Sequence, residues 1–170
     1  EAKFEPNSYG FRPGRSCHDA CLAIFIALTK KTAFVLDADI SGCFDNIDQT
    51  ALLIKLNTIP TIRRTIKGWL KAGVLDGIIF QPTTRGTPQG GVISPLLANI
   101  ALHGMEYDTK KNLLTDLFQH QRKKMGRIST KGAYLRLAII RYADDFVVLH
   151  EDKNIVLKAK IFIEKWLKGM

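Results

Sequence analysis

Four aspartates stand inside segments that are otherwise apolar. Residues 33–40 read AFVLDADI and residues 139–149 read IIRYADDFVVL. Runs this short and this rich in Val and Ile read as buried strands. Asp37 and Asp39 are two apart, so they point to the same face of their strand. Asp144 and Asp145 stand between two β-rich runs, residues 135–142 and 146–150, in the pattern of a hairpin. An ionised carboxylate at the end of a buried strand is costly unless something offsets its charge, and adjacent acids repel each other. A divalent cation removes both penalties. Magnesium fits, because this hard ion takes one or two carboxylates, several waters and substrate phosphates. Two such ions can clamp the attacking and leaving oxygens of a phosphoryl transfer. Taken singly, each acid keeps an alternative. Asp144-Asp145 suits a plain turn, and Asp37 suits a solvated strand face or an N–H acceptor.

The rest of the chain supplies helices for such a sheet. Residues 1–15 carry Pro6, Asn7, Gly10, Pro13 and Gly14 and read as loop. Ser16 with Asp19 three residues later resembles a capping box, and Ala20, Leu22, Ala23, Ile26 and Ala27 follow at roughly helical spacing. Asp48 caps a short helix to Leu56, and a second helix runs near residues 61–72, ended by Gly73. Residues 74–80 read as a strand and residues 81–91 as a loop. A helix opens at Ser94-Pro95 and runs to about Met105. Residues 107–131 are polar and basic and carry little signal. Residues 152–167 close the chain as an amphipathic helix. Trp69 and Trp166, at helical positions, are expected in the core. This order predicts an α+β or α/β sandwich with helices on a small sheet.

Composition narrows the class. The 170 residues are 46% hydrophobic, which excludes wholesale disorder and is enough to build one core. No uncharged apolar run approaches the ~18–20 residues that cross a bilayer, and residues 1–11 do not resemble a signal peptide. Three cysteines are too few for a disulfide framework, which suits a reducing compartment. Cys17, His18 and Cys21 lack a second ligand pair, so zinc is rejected. Residues 61–140 hold 13 basic and 4 acidic side chains, and this middle supplies the whole net charge of +9. A basic excess of this kind points to a polyanion, nucleic acid first; a merely soluble basic surface is the alternative.

With their neighbours the acidic segments become recognisable. NSYGFRPGRSCHDA (residues 7–20), DADISGCFDNID (37–48), RGTPQGGVISPLLANIALHGME (85–106) and IIRYADDFVVL (139–149) follow in that order. Together they closely resemble the reverse transcriptase domain of group II intron-encoded proteins, the maturase/reverse transcriptase family, over nearly the whole chain. An ADD triplet alone would be weak; four long motifs in order are specific. The resemblance implies an α+β fold, the palm of a right-hand polymerase. Its RRM-like antiparallel sheet with packed helices carries the aspartates, and part of the fingers accompanies it. Residues 1–32 and 50–84 would supply fingers-like or palm helical parts, and residues 33–49 and 85–170 the palm.

The resemblance also implies roles. The family's first metal-binding Asp opens an Asp-x4-aromatic motif, which falls on Asp39 with Phe44. The catalytic pair of Tyr-x-Asp-Asp falls on Asp144 and Asp145, and the Ile40 carbonyl would complete a metal site. Asp37 then becomes a neighbour. Phe44 looks like a gate beneath the incoming sugar, where a ring clashes with a 2′-hydroxyl; an ordinary core aromatic is the compatible alternative. Gln89 and Gly90, in the PQGG stretch, resemble the residues that hold the nucleotide; a tight turn leading to a helix N-terminus is the alternative. Tyr142 would lie near the primer terminus. Arg12 and Arg15 suit template or fingers contacts, or plain surface charge. Arg63, Lys67 and Lys71 share one face of a predicted helix that also carries Arg64, as a phosphate-tracking stripe or a solvated face. Arg122, Lys123, Lys124 and Arg127 suit an RNA contact or a mobile loop.

The implied activity is RNA-directed DNA synthesis with two Mg²⁺, for which Mn²⁺ could substitute. The implied partners are an RNA template, a DNA primer, dNTPs and the host intron RNA, with no membrane. The setting would be a bacterial cytoplasm or an organelle. A second reading is a maturase that binds intron RNA for splicing, with polymerase activity secondary or lost. A third, a palm-like nucleotidyl cyclase, is opposed by the PQGG loop and Phe44. The family's upstream fingers block, thumb and maturase X region find no match here, so the chain reads as part of a larger polymerase.

Overall fold

The structure, a computed structural model, describes residues 4–30, 33–76, 79–81, 83, 85–87, 91–121 and 137–170. Its elements are α1 (Cys17–Lys30), β1 (Phe34–Asp39), α2 (Cys43–Asn46), α3 (Gln49–Leu56), α4 (Pro60–Leu70), β2 (Val74–Asp76), β3 (Ile79–Gln81), α5 (Ser94–Leu102), α6 (Met105–Gln121), β4 (Ala138–Tyr142), β5 (Asp145–His150) and α7 (Lys153–Leu167). The class is α+β. The chain divides into two units, Glu1–Asp39 with Gly104–Lys168, and Ile40–His103 with Gly169–Met170.

The first unit is built on a three-stranded antiparallel sheet in the order β1-β5-β4. One face carries Ala138, Ile140, Val147 and Leu149, packed against Ala20, Ala23, Ile24 and Ala27 of α1 and against Tyr9. Three alanines let the helix backbone come close to the strands. Ile139, Phe146 and Val148 alternate with these residues, so they point to the opposite face, where they too are buried. α7 packs on β5 and β1, burying Ile155, Ala159 and Ile163 at i, i+4, i+8 spacing together with Val156. α6 packs on α7. Lys158 donates to Asp116 at 2.6 Å and the Trp166 indole donates to Asp108 at 3.0 Å.

The second unit packs Ile47, Leu52, Leu53, Ile66, Leu70, Leu97, Ala98 and Ala101 into one core. Leu52 and Leu70 expose no surface, and each such burial contributes about 1.5–3 kcal/mol. Local signals set the helix starts. The Asp48 carboxylate accepts the Ala51 amide at 2.7 Å, and Pro60 and Pro95 occupy first turns. The Lys55 ammonium donates to the Ala101 carbonyl at the end of α5.

Several sequence expectations need correction. Residues 74–80 are not one strand but two, with Asp76 paired to Ile79 in an antiparallel hairpin. A run of seven residues was long enough to read as one strand, yet Asp76-Gly77 inside it is a hairpin signal. Residues 105–121 form the helix α6, which the polar composition concealed. α1 turns Ala20, Ala23, Ile24 and Ala27 toward the sheet, whereas Leu22 and Ile26 are exposed; three alanines and one isoleucine make the contact. Trp69 is half exposed, since Ile66 and Leu70 already fill the inward face of α4. The Ser16–Asp19 box forms as expected. Ser16 N donates to the Asp19 carboxylate at 2.7 Å, and Asp19 N donates back to Ser16 Oγ at 3.3 Å. Among the described residues no helix is long and apolar enough to cross a membrane.

Candidate active site

The antiparallel register places Asp39 directly opposite Asp145, and Asp145 directly opposite Tyr142. Paired residues share a face of the sheet. Asp39, Asp145 and Tyr142 therefore form one row across three strands, at the end of the sheet where all three are exposed. Asp37 points to the same face two residues further in, opposite Val147.

Asp144 sits beside this row, half-buried in the two-residue turn that joins β4 to β5. Its turn partner Ala143 has φ +57°, a left-handed value that costs an L-residue about 1–2 kcal/mol. Hairpin turns that need a positive φ at the first central position favour glycine there. The alanine is held in that conformation by its surroundings. The buried Arg141 guanidinium donates from Nη1 to the Ala143 carbonyl at 2.6 Å.

Like charges directly opposite in a sheet destabilise it, so the Asp39–Asp145 pair calls for a counter-cation. Among the described residues no three His, Cys, Asp or Glu side chains are gathered closely enough to hold a metal ion, so Asp39, Asp144 and Asp145 do not converge as a set. An open carboxylate set is what magnesium uses, since it keeps waters and takes substrate phosphates. Carboxylate oxygens are the donor type that a hard divalent cation takes. The Ile40 carbonyl already accepts the Cys43 amide at 3.0 Å, which leaves it one lone pair.

In the second unit, Phe44 is half-buried against the core of Ile47, Leu52 and Leu97. The start of the RGTPQGG stretch is laced to the same turn. Gly86 N donates to the Ile47 carbonyl at 2.9 Å, and Thr87 N to the Phe44 carbonyl at 2.7 Å. Gly86 has φ +72°, and a Cβ there would overlap the Phe44 carbonyl and lie 2.7 Å from Asp45 backbone atoms. Only glycine fits this approach. Gln89 and Gly90, expected to hold the nucleotide, lie outside the described residues, as do Arg122, Lys123, Lys124 and Arg127.

Arg12 and Arg15 are engaged with the loop that carries them. Arg12 Nη1 donates to the carbonyls of Glu5 and Ser8 at 2.9 and 2.7 Å, and its guanidinium stands over the Phe4 ring. Arg15 donates to the Pro6 carbonyl and stands over Tyr9. Arg63 and Lys67 on α4 and Lys71 at its C-cap are exposed, as is Arg64, while Ile66 and Leu70 turn inward. Sequence reasoning assigned no role to Arg141 or Ser8, and to Gly10 only a place in a loop. The signal at Arg141 is a charge inside an apolar strand, the same signal that singled out the aspartates.

Comparison with known proteins gives the family and the fold. The family model "Reverse transcriptase (RNA-dependent DNA polymerase)" matches residues 2–170. The group II intron-encoded protein LtrA of Lactococcus lactis subsp. cremoris is 38% identical over 167 residues, covering 96% of this chain and 26% of LtrA. YkfC of Escherichia coli is 31% identical over 172 residues, covering 88% of this chain and 44% of that protein. The chain thus spans about a quarter of the length of LtrA. Among solved structures, a telomerase from Candida albicans, in complex with a fragment of telomeric RNA, superposes with a TM-score of 0.64 at 18% identity. The match covers 96% of this chain and 29% of the telomerase. The shared fold is that of the right-hand polymerases. The chain belongs to the reverse transcriptase (RNA-dependent DNA polymerase) family and is similar within it to group II intron-encoded proteins.

Proposed function

We propose that this chain is the catalytic core of an RNA-directed DNA polymerase of the group II intron-encoded type, working within a longer protein. The observation that carries the reading is the Asp39–Asp145 row with Asp144 at the adjoining turn. Asp39, Asp144, Asp145 and the Ile40 carbonyl would hold two Mg²⁺, for which Mn²⁺ can substitute. Bound there, the cations would supply Lewis-acid stabilisation of the charge that develops in phosphoryl transfer. The protein's own part is positioning and preorganised charge rather than covalent chemistry. Tyr142, in the same row, would lie beside the primer terminus. Phe44 would exclude a 2′-hydroxyl, and Gln89 with Gly90 would hold the dNTP. Arg63, Lys67 and Lys71 would follow the phosphates of the primer–template, with Arg12 and Arg15 holding the loop beside the sheet. On this reading residues 33–49 and 85–170 work as palm, and residues 1–32 and 50–84 as fingers-like or palm helical parts. The setting would be a bacterial cytoplasm or an organelle.

Primer extension on an RNA template by the full-length protein tests this reading. Activity should require Mg²⁺ or Mn²⁺ and should vanish in Asp144→Ala; extension that survives that change sinks it. The exposed basic face of α4 favours a second reading, binding of the host intron RNA as a maturase. Intron binding and splicing that persist in Asp144→Ala would show that this role stands apart from polymerisation.

A further inference from the structure

We infer that Arg141 is the positioning residue of the catalytic turn, clamping the Ala143–Asp144 peptide against the segment Asn7–Gly10. The inference rests on the polymerase reading above.

Arg141 lies in β4 and is only 3% exposed. Removing a guanidinium from water costs several kcal/mol unless its donors are satisfied. Its two terminal nitrogens divide the work. Nη1 donates to the Ala143 carbonyl at 2.6 Å and Nη2 to the Ser8 hydroxyl at 2.7 Å. The backbone adds two more ties. Arg141 N donates to the Asn7 carbonyl, and Tyr9 N donates to the Arg141 carbonyl, both at 2.8 Å. Residues 7–9 thereby lie alongside β4 as a parallel bridge. Ser8 is itself fixed from its other end, since its carbonyl accepts from Arg12.

Gly10 completes the clamp. A Cβ at this position would overlap the Ala143 amide nitrogen and lie 2.9 Å from its Cα. The backbone at Gly10 therefore lies close against the turn residue that carries the positive φ, with no room for a side chain between them. Strained conformations persist only where the surroundings over-determine them, and Ala143 is held by the guanidinium and by this close approach. The carbonyl that Arg141 grips belongs to the peptide joining Ala143 to Asp144. Fixing that peptide fixes the backbone of Asp144, and so the origin from which its carboxylate reaches. An arginine suits this position because its planar fork serves two acceptors at once; a lysine is a point charge with no fork.

A turn released from the clamp should bind cations less well and react more slowly, without losing its grip on substrates. The test uses the full-length protein with Arg141→Lys and the milder Ser8→Ala. The expected result for Arg141→Lys is a fall in kcat of about tenfold to a hundredfold, the scale of a displacement near 1 Å. The KM for dNTP and primer–template should stay near wild type. Mn²⁺ binding, followed by electron paramagnetic resonance without nucleotide or template, should weaken in the same variants. Amide hydrogen exchange at Asp144 and Asp145 should quicken while the amides of α7 keep their protection. Ser8→Ala should move all readouts in the same direction by less. If Arg141→Lys fails to fold, Ser8→Ala decides alone. A folded variant with wild-type kcat, Mn²⁺ affinity and exchange overturns the inference. So does a loss of kcat with unchanged Mn²⁺ binding and exchange, which would mean that Arg141 does not act through the turn. If Asp144→Ala still extends primers, the polymerase reading fails, and the Mn²⁺ and exchange measurements still judge the clamp.

Discussion

Asp39 lies directly opposite Asp145, whereas Asp37, on the same strand and the same face, lies opposite Val147. The two β1 acids thus differ in partner rather than in direction. Only Asp39 shares its row with a second carboxylate at the exposed end of the sheet. Loss of a cation's charge stabilisation costs several kcal/mol, and 1.36 kcal/mol is tenfold in rate. Asp39→Asn should therefore slow Mg²⁺-dependent primer extension more than about a hundredfold. Asp37→Asn should leave the rate close to wild type. Equal losses in the two variants would show that the register does not select the ligand.

Three glycines give a graded test of the backbone. Gly86 combines φ +72° with a Cβ position already occupied by the Phe44 carbonyl. Gly14 has φ +69° with nothing within 4 Å, and Gly68, within α4, has neither constraint. Gly14→Ala should cost only the left-handed backbone, about 1–2 kcal/mol. Gly86→Ala should cost more, because the turn carrying Phe44 must also give way. Gly68→Ala should stabilise by up to about 1 kcal/mol, the helix preference of alanine over glycine. Urea denaturation of the full-length variants measures the order; a Gly86→Ala protein as stable as Gly14→Ala would contradict the close approach.

What was legible in the sequence was local. The Ser16–Asp19 box, the Asp48 cap and the β4–β5 hairpin each depend on residues within a few positions of one another, and each formed as expected. The aspartates were legible because a charge in an apolar strand breaks a pattern. α6 was not, because its inward line of Met105, Thr109 and Leu113 includes a buried polar member and too few apolar ones to show a period. The tie between Ser8 and Arg141 spans 133 residues, and no local rule brings such residues together. In sequence Arg12 and Arg15 suited template or fingers contacts, or plain surface charge. Only the folded loop shows the carbonyls they serve.

The start of α1 carries a pH dependence. Hydrogen bonds from the Ser16 side chain and then its backbone hold the Asp19 carboxyl below its ordinary value of 3.8. Folding thus lowers this pKa, so the stabilisation is fully present above 3.8 and fades as the pH falls below it through the folded value. Asp19→Asn should lower the melting temperature at neutral pH, with the gap from wild type closing as the pH drops below that range. Thermal melts from pH 7 to pH 2 read this directly. A gap that stays constant to the acid end would mean that the carboxylate charge contributes nothing to the cap.

The basic face of α4 decides between a nucleic-acid track and a solvated surface. Arg63, Lys67 and Lys71 lie at i, i+4, i+8 positions and are exposed, so their neutralisation should leave folding nearly unchanged. Each phosphate contact adds roughly 0.7–0.9 to the slope of log affinity against log salt. If all three side chains touch phosphates, the triple change to glutamine should reduce that slope by about 2–3. Affinity should weaken most at low salt and converge with wild type as salt rises. Asp144→Ala should bind the same primer–template with the wild-type slope, because its carboxylate meets cations rather than phosphates. A triple variant whose slope matches wild type would make the stripe a solvated helix face. The net charge of residues 61–140 would then have to act through its other basic side chains.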